Sequence, residues 1–147
     1  MKPISTIVVP VDFLDYTDRL VDFAVHMAKK LDAGLRFLHV VEEVHIYGDY
    51  VGPTIEDFTV KMGDLAEEKM KNLVEANRNT CSGCEGKVAR GANVADTIIA
   101  YAKEVDGDMI IVGTHGRKGL ERVWLGSVAE RVVKGAPCPT LTYNPYK

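Results

Sequence analysis

Two residue spacings alternate along the 147 residues, and that alternation restricts the chain to very few folds. Short apolar runs rich in β-branched residues read as strands over residues 6–11, 35–41, 109–112 and 140–143, with a shorter one at 86–89. Between them, apolar residues recur at steps of three and four, as they do on one face of a helix. Leu20, Phe23, Ala24, Met27, Ala28 and Leu31 mark the first such face, and Phe58, Met62, Leu65, Ala66, Met70 and Leu73 the second. Ala95, Ile98, Ile99, Ala102 and Val105 mark the third, and the run from Ser127 to Val133 the fourth. Five strands alternating with four helices imply a mostly parallel sheet covered on both faces. The unbroken apolar runs at 7–11 and 109–112 suit central strands buried on both sides.

Helix ends are expected where small polar residues and glycines fall. Asp15 or Thr17 is the expected N-cap of the first helix and Gly34 its stop. Asn93 is expected to cap the third helix and Ser127 the fourth, while Pro137 ends the last helical pattern. No repeat, linker or low-complexity tract interrupts the chain, so residues 1–147 are expected to form one domain.

In open parallel sheets a ligand sits beyond the carboxyl ends of the strands, where the strand order reverses. Pattern alone does not fix that order. If the first and fourth strands are neighbours, Pro10, Val11 and Asp12 face the Gly113-Thr114-His115-Gly116 stretch across one crevice. Gly113 ends a strand where the backbone must turn sharply, which a residue without Cβ permits. Nine residues after Gly116, Gly126-Ser127 opens a helix whose first N–H groups form a seat for phosphate.

Each candidate has a plain reading beside the functional one. Asp12 would accept hydrogen bonds from adenine or ribose, or serve as an ordinary turn aspartate. Pro10, lacking an N–H, suits the end of a strand. Val40 would offer its backbone to an adenine edge and its side chain to the ring, or act as a core valine. Arg117 could grip phosphate oxygens as a fork of donors, with Lys118 beside it. His115 would touch phosphate or face solvent, and is not expected to be a catalytic base. Trp124 would cover the phosphate loop or simply pack.

Composition narrows the alternatives. A net charge of −3 and the absence of any Lys/Arg block argue against nucleic acid, and no apolar run approaches the ~20 residues of a membrane span. The N-terminus has no signal-peptide layout, so a cytoplasmic location is expected. Cys81 and Cys84 are separated by two residues but lack a second ligand pair for zinc, and are expected to be an inert surface pair, with a regulatory disulfide as the alternative. Cys138, between two prolines, is expected to be a small buried hydrophobe. No Walker A sequence or early G-x-G-x-x-G appears, nor any nucleophile–base pair, so binding rather than turnover is expected. A receiver-type phosphorylation domain is set aside, because Arg90-Gly91 stands where its aspartate would be.

Gly113, Gly116 and Gly126-Ser127 fit the pattern G-x2-G-x9-G-[S/T], and with Ile7-Val8-Val9-Pro10-Val11-Asp12, Leu38-His39-Val40 and the run from Asp108 to Gly113 they resemble the universal stress proteins of the UspA type over nearly the whole chain. The resemblance implies a Rossmann-like, doubly wound α/β fold with a five-stranded parallel sheet in order 3-2-1-4-5. It implies an ATP site, with AMP or ADP as alternatives, formed by Pro10, Val11, Asp12, Val40, Val112, Gly113, Gly116, Arg117, Gly126, Ser127 and Val128. A Mg²⁺ or Mn²⁺ ion would be held mainly by phosphates and water. It further implies a homodimer through the last strand, Thr140, Leu141, Thr142 and Tyr143. The expected role is a nucleotide-dependent stress-response or signalling module acting on an unknown protein partner, the alternative being a slow ATPase or phosphotransfer enzyme.

Overall fold

Ile7, Val8 and Val9 are consecutive and fully buried, so successive side chains on opposite faces of one strand both need a covering layer. The computed structural model describes residues 2–43, 55–114 and 125–147. Within them the chain runs β1 (Thr6–Pro10), α1 (Thr17–Leu31), β2 (Gly34–Glu42), α2 (Ile55–Asn77), β3 (Cys84–Gly91), α3 (Val94–Glu104), β4 (Met109–Gly113), α4 (Ser127–Gly135) and β5 (Thr140–Tyr143). The strands form one parallel sheet in the order β3-β2-β1-β4-β5. The chain therefore winds outward from β1 through β2 to β3, then crosses back to β4 and β5.

Crossovers of one handedness that travel in opposite directions place their helices on opposite faces. The two buried cores record this. Ile7, Val9, Leu35, Phe37 and Ile111 pack with Leu20, Val21, Ala24 and Ala28 of α1 and Met70 of α2. Val8, Leu38, Ile110 and Val112 pack with Ala95, Ile98 and Ala102 of α3 and Ala129 and Val132 of α4.

Several helix ends differ from the sequence expectation. The N-cap of α1 is Tyr16, neither Asp15 nor Thr17, and it makes no side-chain cap bond; Thr17 is the first helical residue, and its hydroxyl donates to Asp12 Oδ1 at 3.2 Å. The helix stops at Asp32 rather than Gly34. Asp32 adopts the left-handed region (φ 54°), which short polar residues tolerate, and its carboxylate takes a 2.6 Å bond from Ser82 Oγ. Asn93 caps α3 as expected, accepting from the Asp96 N–H.

The packed face of α2 is also rotated from the apolar stripe. Ala66 and Met70 are buried, whereas Phe58 and Leu65 remain 66% and 47% exposed. Small residues decide this contact. Gly63 gives room for the Arg90 guanidinium, and Gly86 on β3 for Met70 and Val74. The loop before α2, with Tyr47, Gly48, Tyr50, Gly52 and Pro53, lies outside the described residues.

At the amino-terminal end of the sheet, Asp108 joins β1 to β4. Its Oδ2 accepts from the Ser5 N–H (3.0 Å), Ser5 Oγ (2.8 Å) and the Thr6 N–H (3.0 Å), and Lys2 Nζ lies 3.1 Å from Oδ1. The Ser5 amide foremost, then the Ser5 hydroxyl and Lys2, hold the carboxyl down from 3.8 to about 2 despite the opposing effect of burial. A folded-state pKa below the unfolded value means that this contribution is present above about pH 4 and disappears as pH falls through about 2. Allowing for solvent screening, Asp108→Asn is expected to cost on the order of 1 kcal/mol at neutral pH, with the deficit vanishing near pH 2. Urea denaturation of both proteins across that range measures it.

Candidate functional site

The site is built where β1 stops pairing. Toward β2, β1 keeps its ladder through Pro10↔Leu38, and the Val11 N–H still reaches the Leu38 carbonyl at 2.8 Å. Toward β4, the pairing covers Ile7↔Met109 and Val8↔Ile110. Backbone groups of alternate residues point to alternate sides of a strand, so Pro10 faces β4. The next rung on that side needs an N–H at position 10, and proline has none. A crevice therefore opens between the carboxyl ends of β1 and β4, where the strand order reverses.

Asp12 stands at its β1 edge. Its Oδ1 accepts from the Leu14 N–H at 3.0 Å and from the Thr17 hydroxyl, which ties the turn to the first residue of α1. Among the described residues its Oδ2 has no hydrogen-bond partner. Asp12 is thus a turn aspartate with one carboxylate oxygen unengaged among the described residues. Phe13 follows in the left-handed region (φ 57°), with its ring 5.0 Å from the His39 ring and the Lys69 Nζ 6.0 Å from its centroid. The His39 Nδ1 lies 2.8 Å from the Val11 carbonyl. A carbonyl only accepts, so Nδ1 carries the proton in this bond.

The opposite edge is made by β4 and α4. The Thr114 N–H bonds the Tyr143 carbonyl at 2.9 Å, and the Thr114 carbonyl accepts the Gly126 N–H at 2.7 Å. Both ends of the glycine-rich stretch therefore meet at the tip of β4. Gly126 is the N-cap of α4, in extended backbone and without a side-chain cap bond; Ser127 is the first helical residue, not the cap as expected. A Cβ on Gly126 would come within 3.0 Å of the Thr114 carbonyl oxygen, so glycine permits the close return. Ser127 and Val128 occupy the first turn, whose N–H groups have no acceptor within the helix.

Pro10, Val11 and Asp12 thus stand at the carboxyl end of β1 and Gly113 at that of its neighbour β4, where the bond from Gly126 to Thr114 also returns the start of α4 with Ser127 and Val128. Val112 is a buried side chain of the second core and can offer only backbone, while Val40 is half-buried against that core at the end of β2. Gly116 and Arg117, like His115, Lys118 and Trp124, lie outside the described residues. Sequence reasoning passed over Phe13 and the role of His39. A left-handed aromatic leaves no mark in a sequence, but a histidine inside the apolar run of β2 was a readable signal.

Cys81 and Cys84 are free thiols, half-buried against the first core rather than lying on the surface as expected. Burial, followed by the neighbouring Cys81, pushes the Cys84 thiol up to about 11, which disfavours the thiolate needed for nucleophilic or metal chemistry. Cys138 is likewise raised by burial. The described residues contain no group of three or more His, Cys, Asp or Glu placed to hold a metal ion, and no helix long and apolar enough to cross a membrane.

The sequence of the universal stress protein family is matched over residues 3–144. A universal stress protein of Methanocaldococcus jannaschii is 31% identical over 135 residues, covering 92% of this chain and 79% of that protein. The solved universal stress protein UspA of Lactobacillus plantarum superposes with a TM-score of 0.78 at 25% identity, over 97% of this chain and 99% of that one. A universal stress protein from Archaeoglobus fulgidus, solved in complex with dAMP, superposes with a TM-score of 0.65 at 24% identity, over 96% of this chain and 98% of that one. With its sequence and its fold in agreement, the chain belongs to the universal stress protein family.

Proposed function

We propose that this protein binds an adenine nucleotide, ATP foremost, in the crevice between β1 and β4, and acts as a nucleotide-dependent stress-response or signalling module. The observation that carries the reading is the convergence of Asp12 and the open first turn of α4 on a gap that Pro10 keeps unpaired. A carboxylate at one side suits ribose hydroxyls or an amino group of the base. A helix start at the other suits phosphate, through directed N–H groups and the positive end of the helix dipole. The dAMP bound by the Archaeoglobus relative supports an adenine nucleotide as the ligand class. Gly116 and Arg117 are assigned to the phosphates by motif. A Mg²⁺ or Mn²⁺ ion accompanying ATP would be held mainly by phosphate oxygens and water.

We further propose that β5 pairs with a second copy. It bonds β4 through one edge, and its other edge carries the backbone groups of Thr140 and Thr142.

Isothermal titration with ATP, AMP and dAMP is expected to show saturable binding at or below millimolar concentration. Gly126→Ala should weaken it about tenfold, ~1.4 kcal/mol, by pushing against the Thr114 carbonyl, with the circular dichroism spectrum unchanged. Absence of heat with all three ligands would refute the reading, and ADP released faster than by the Gly126→Ala protein would make it an ATPase. For the dimer, Thr142→Pro removes an outward N–H while leaving the bonds to β4 intact, and sedimentation should show the variant as a monomer.

A further inference from the structure

The Val11 N–H donates to the Leu38 carbonyl, so in a regular parallel ladder the next rung would run from the Val40 N–H to the Val11 carbonyl. That rung is not formed. The acceptor is taken instead by the His39 ring, whose Nδ1 lies 2.8 Å from the Val11 oxygen. Val11 is 5% exposed, so its carbonyl needs a donor, and the histidine supplies it without the strands staying paired. β1 and β2 consequently fork one residue earlier than their lengths require, since β2 continues beside β3 as far as Glu42↔Gly91.

The fork leaves the Val40 N–H pointing toward β1 with no acceptor among the described residues. It lies on the same side of β2 as the rung to Val11, one step from Asp12. A free backbone donor there matches a ring nitrogen or carbonyl oxygen at the edge of a planar base. We propose that His39 is a positioning residue of the nucleotide site: by satisfying the Val11 carbonyl, it keeps the Val40 N–H available as the donor that reads the base edge. The inference rests on the nucleotide-binding reading for its ligand, but the fork is a property of the protein alone.

Three variants separate the donor from the ring. His39→Phe keeps a ring beside Phe13 and loses the donor. His39→Asn loses the ring but places an amide N–H where Nδ1 stood. His39→Gln carries the same amide one bond too far out. Hydrogen exchange followed residue by residue is expected to show the Val40 amide exchanging rapidly in the free wild type, and slowing when dAMP or ATP is added. In His39→Phe the orphaned carbonyl should capture the Val40 amide, so that this amide is protected without ligand and nucleotide affinity falls about tenfold. His39→Asn should restore both properties to within about twofold, while His39→Gln should resemble His39→Phe.

A role in packing alone predicts the reverse order, with the phenylalanine variant nearest wild type, and that order overturns the proposal. So does a Val40 amide already protected in the free wild type. If the Val40 exchange pattern holds across the three variants while the wild type binds no nucleotide, the nucleotide reading falls and the fork stands as a site for another planar acceptor.

Discussion

The structure depends on how the central strand stops pairing. A parallel ladder of buried, β-branched residues has no intrinsic reason to end where a ligand needs space, because each added rung satisfies two more backbone groups. In this chain β1 is released on both sides within two residues. On the β4 side the rung fails because Pro10 has no donor, and on the β2 side the acceptor at Val11 is taken by His39. One mechanism withholds a group and the other occupies it. The Val11 carbonyl keeps a donor in His39, so on the β2 side the buried acceptor avoids the cost of ~1–3 kcal/mol that an orphaned carbonyl would carry.

The same two strands are fastened at their other end. Asp108, at the entrance to β4, accepts two amides and a hydroxyl from Ser5 and Thr6 at the entrance to β1. The pair is therefore closed by a charged acceptor at its amino-terminal end and open at its carboxyl-terminal end. Between the two, Val8 and Ile110 lie fully buried against α3 and α4, and Ile7 and Ile111 against α1 and α2.

Much of this was legible beforehand. Strands buried on both faces leave unbroken apolar runs, so β1 and β4 could be read to within a residue. The glycine spacing identified the loop whose ends meet at Thr114 and Gly126. Strand order was not legible from periodicity, since a run such as residues 109–112 does not record its neighbours; resemblance supplied it. Local competition defeated the capping rules. The Thr17 hydroxyl serves Asp12 instead of its own helix, and Gly126 rather than Ser127 takes the cap, at a point where a Cβ would sit a tight 3.0 Å from the Thr114 carbonyl oxygen. The stripe from Phe58 to Leu65 was a genuine periodicity, but α2 settles on the sheet through Ala66 and Met70, with Gly63 beside the Arg90 guanidinium and Gly86 of β3 beneath Met70.

Phe13 shows how the turn at the site is held. A bulky L-residue in the left-handed region costs roughly 1–2 kcal/mol, so the conformation persists only when its surroundings over-determine it. Three contacts do so: the tilted ring of His39, the Lys69 ammonium over the aromatic face, and packing against the first core. Asp12, one residue before, is fixed from the other direction by Leu14 and Thr17. The carboxylate is thereby held in one orientation beyond the end of β1. A preorganised acceptor loses little freedom on binding, so more of each hydrogen bond it forms is retained as affinity. His39 takes part in both halves of this arrangement, bracing the strained aromatic with its ring and holding the fork with its nitrogen. The turn and the fork are consequently one mechanical unit, joining Asp12 beyond the end of β1 to Val40 on β2.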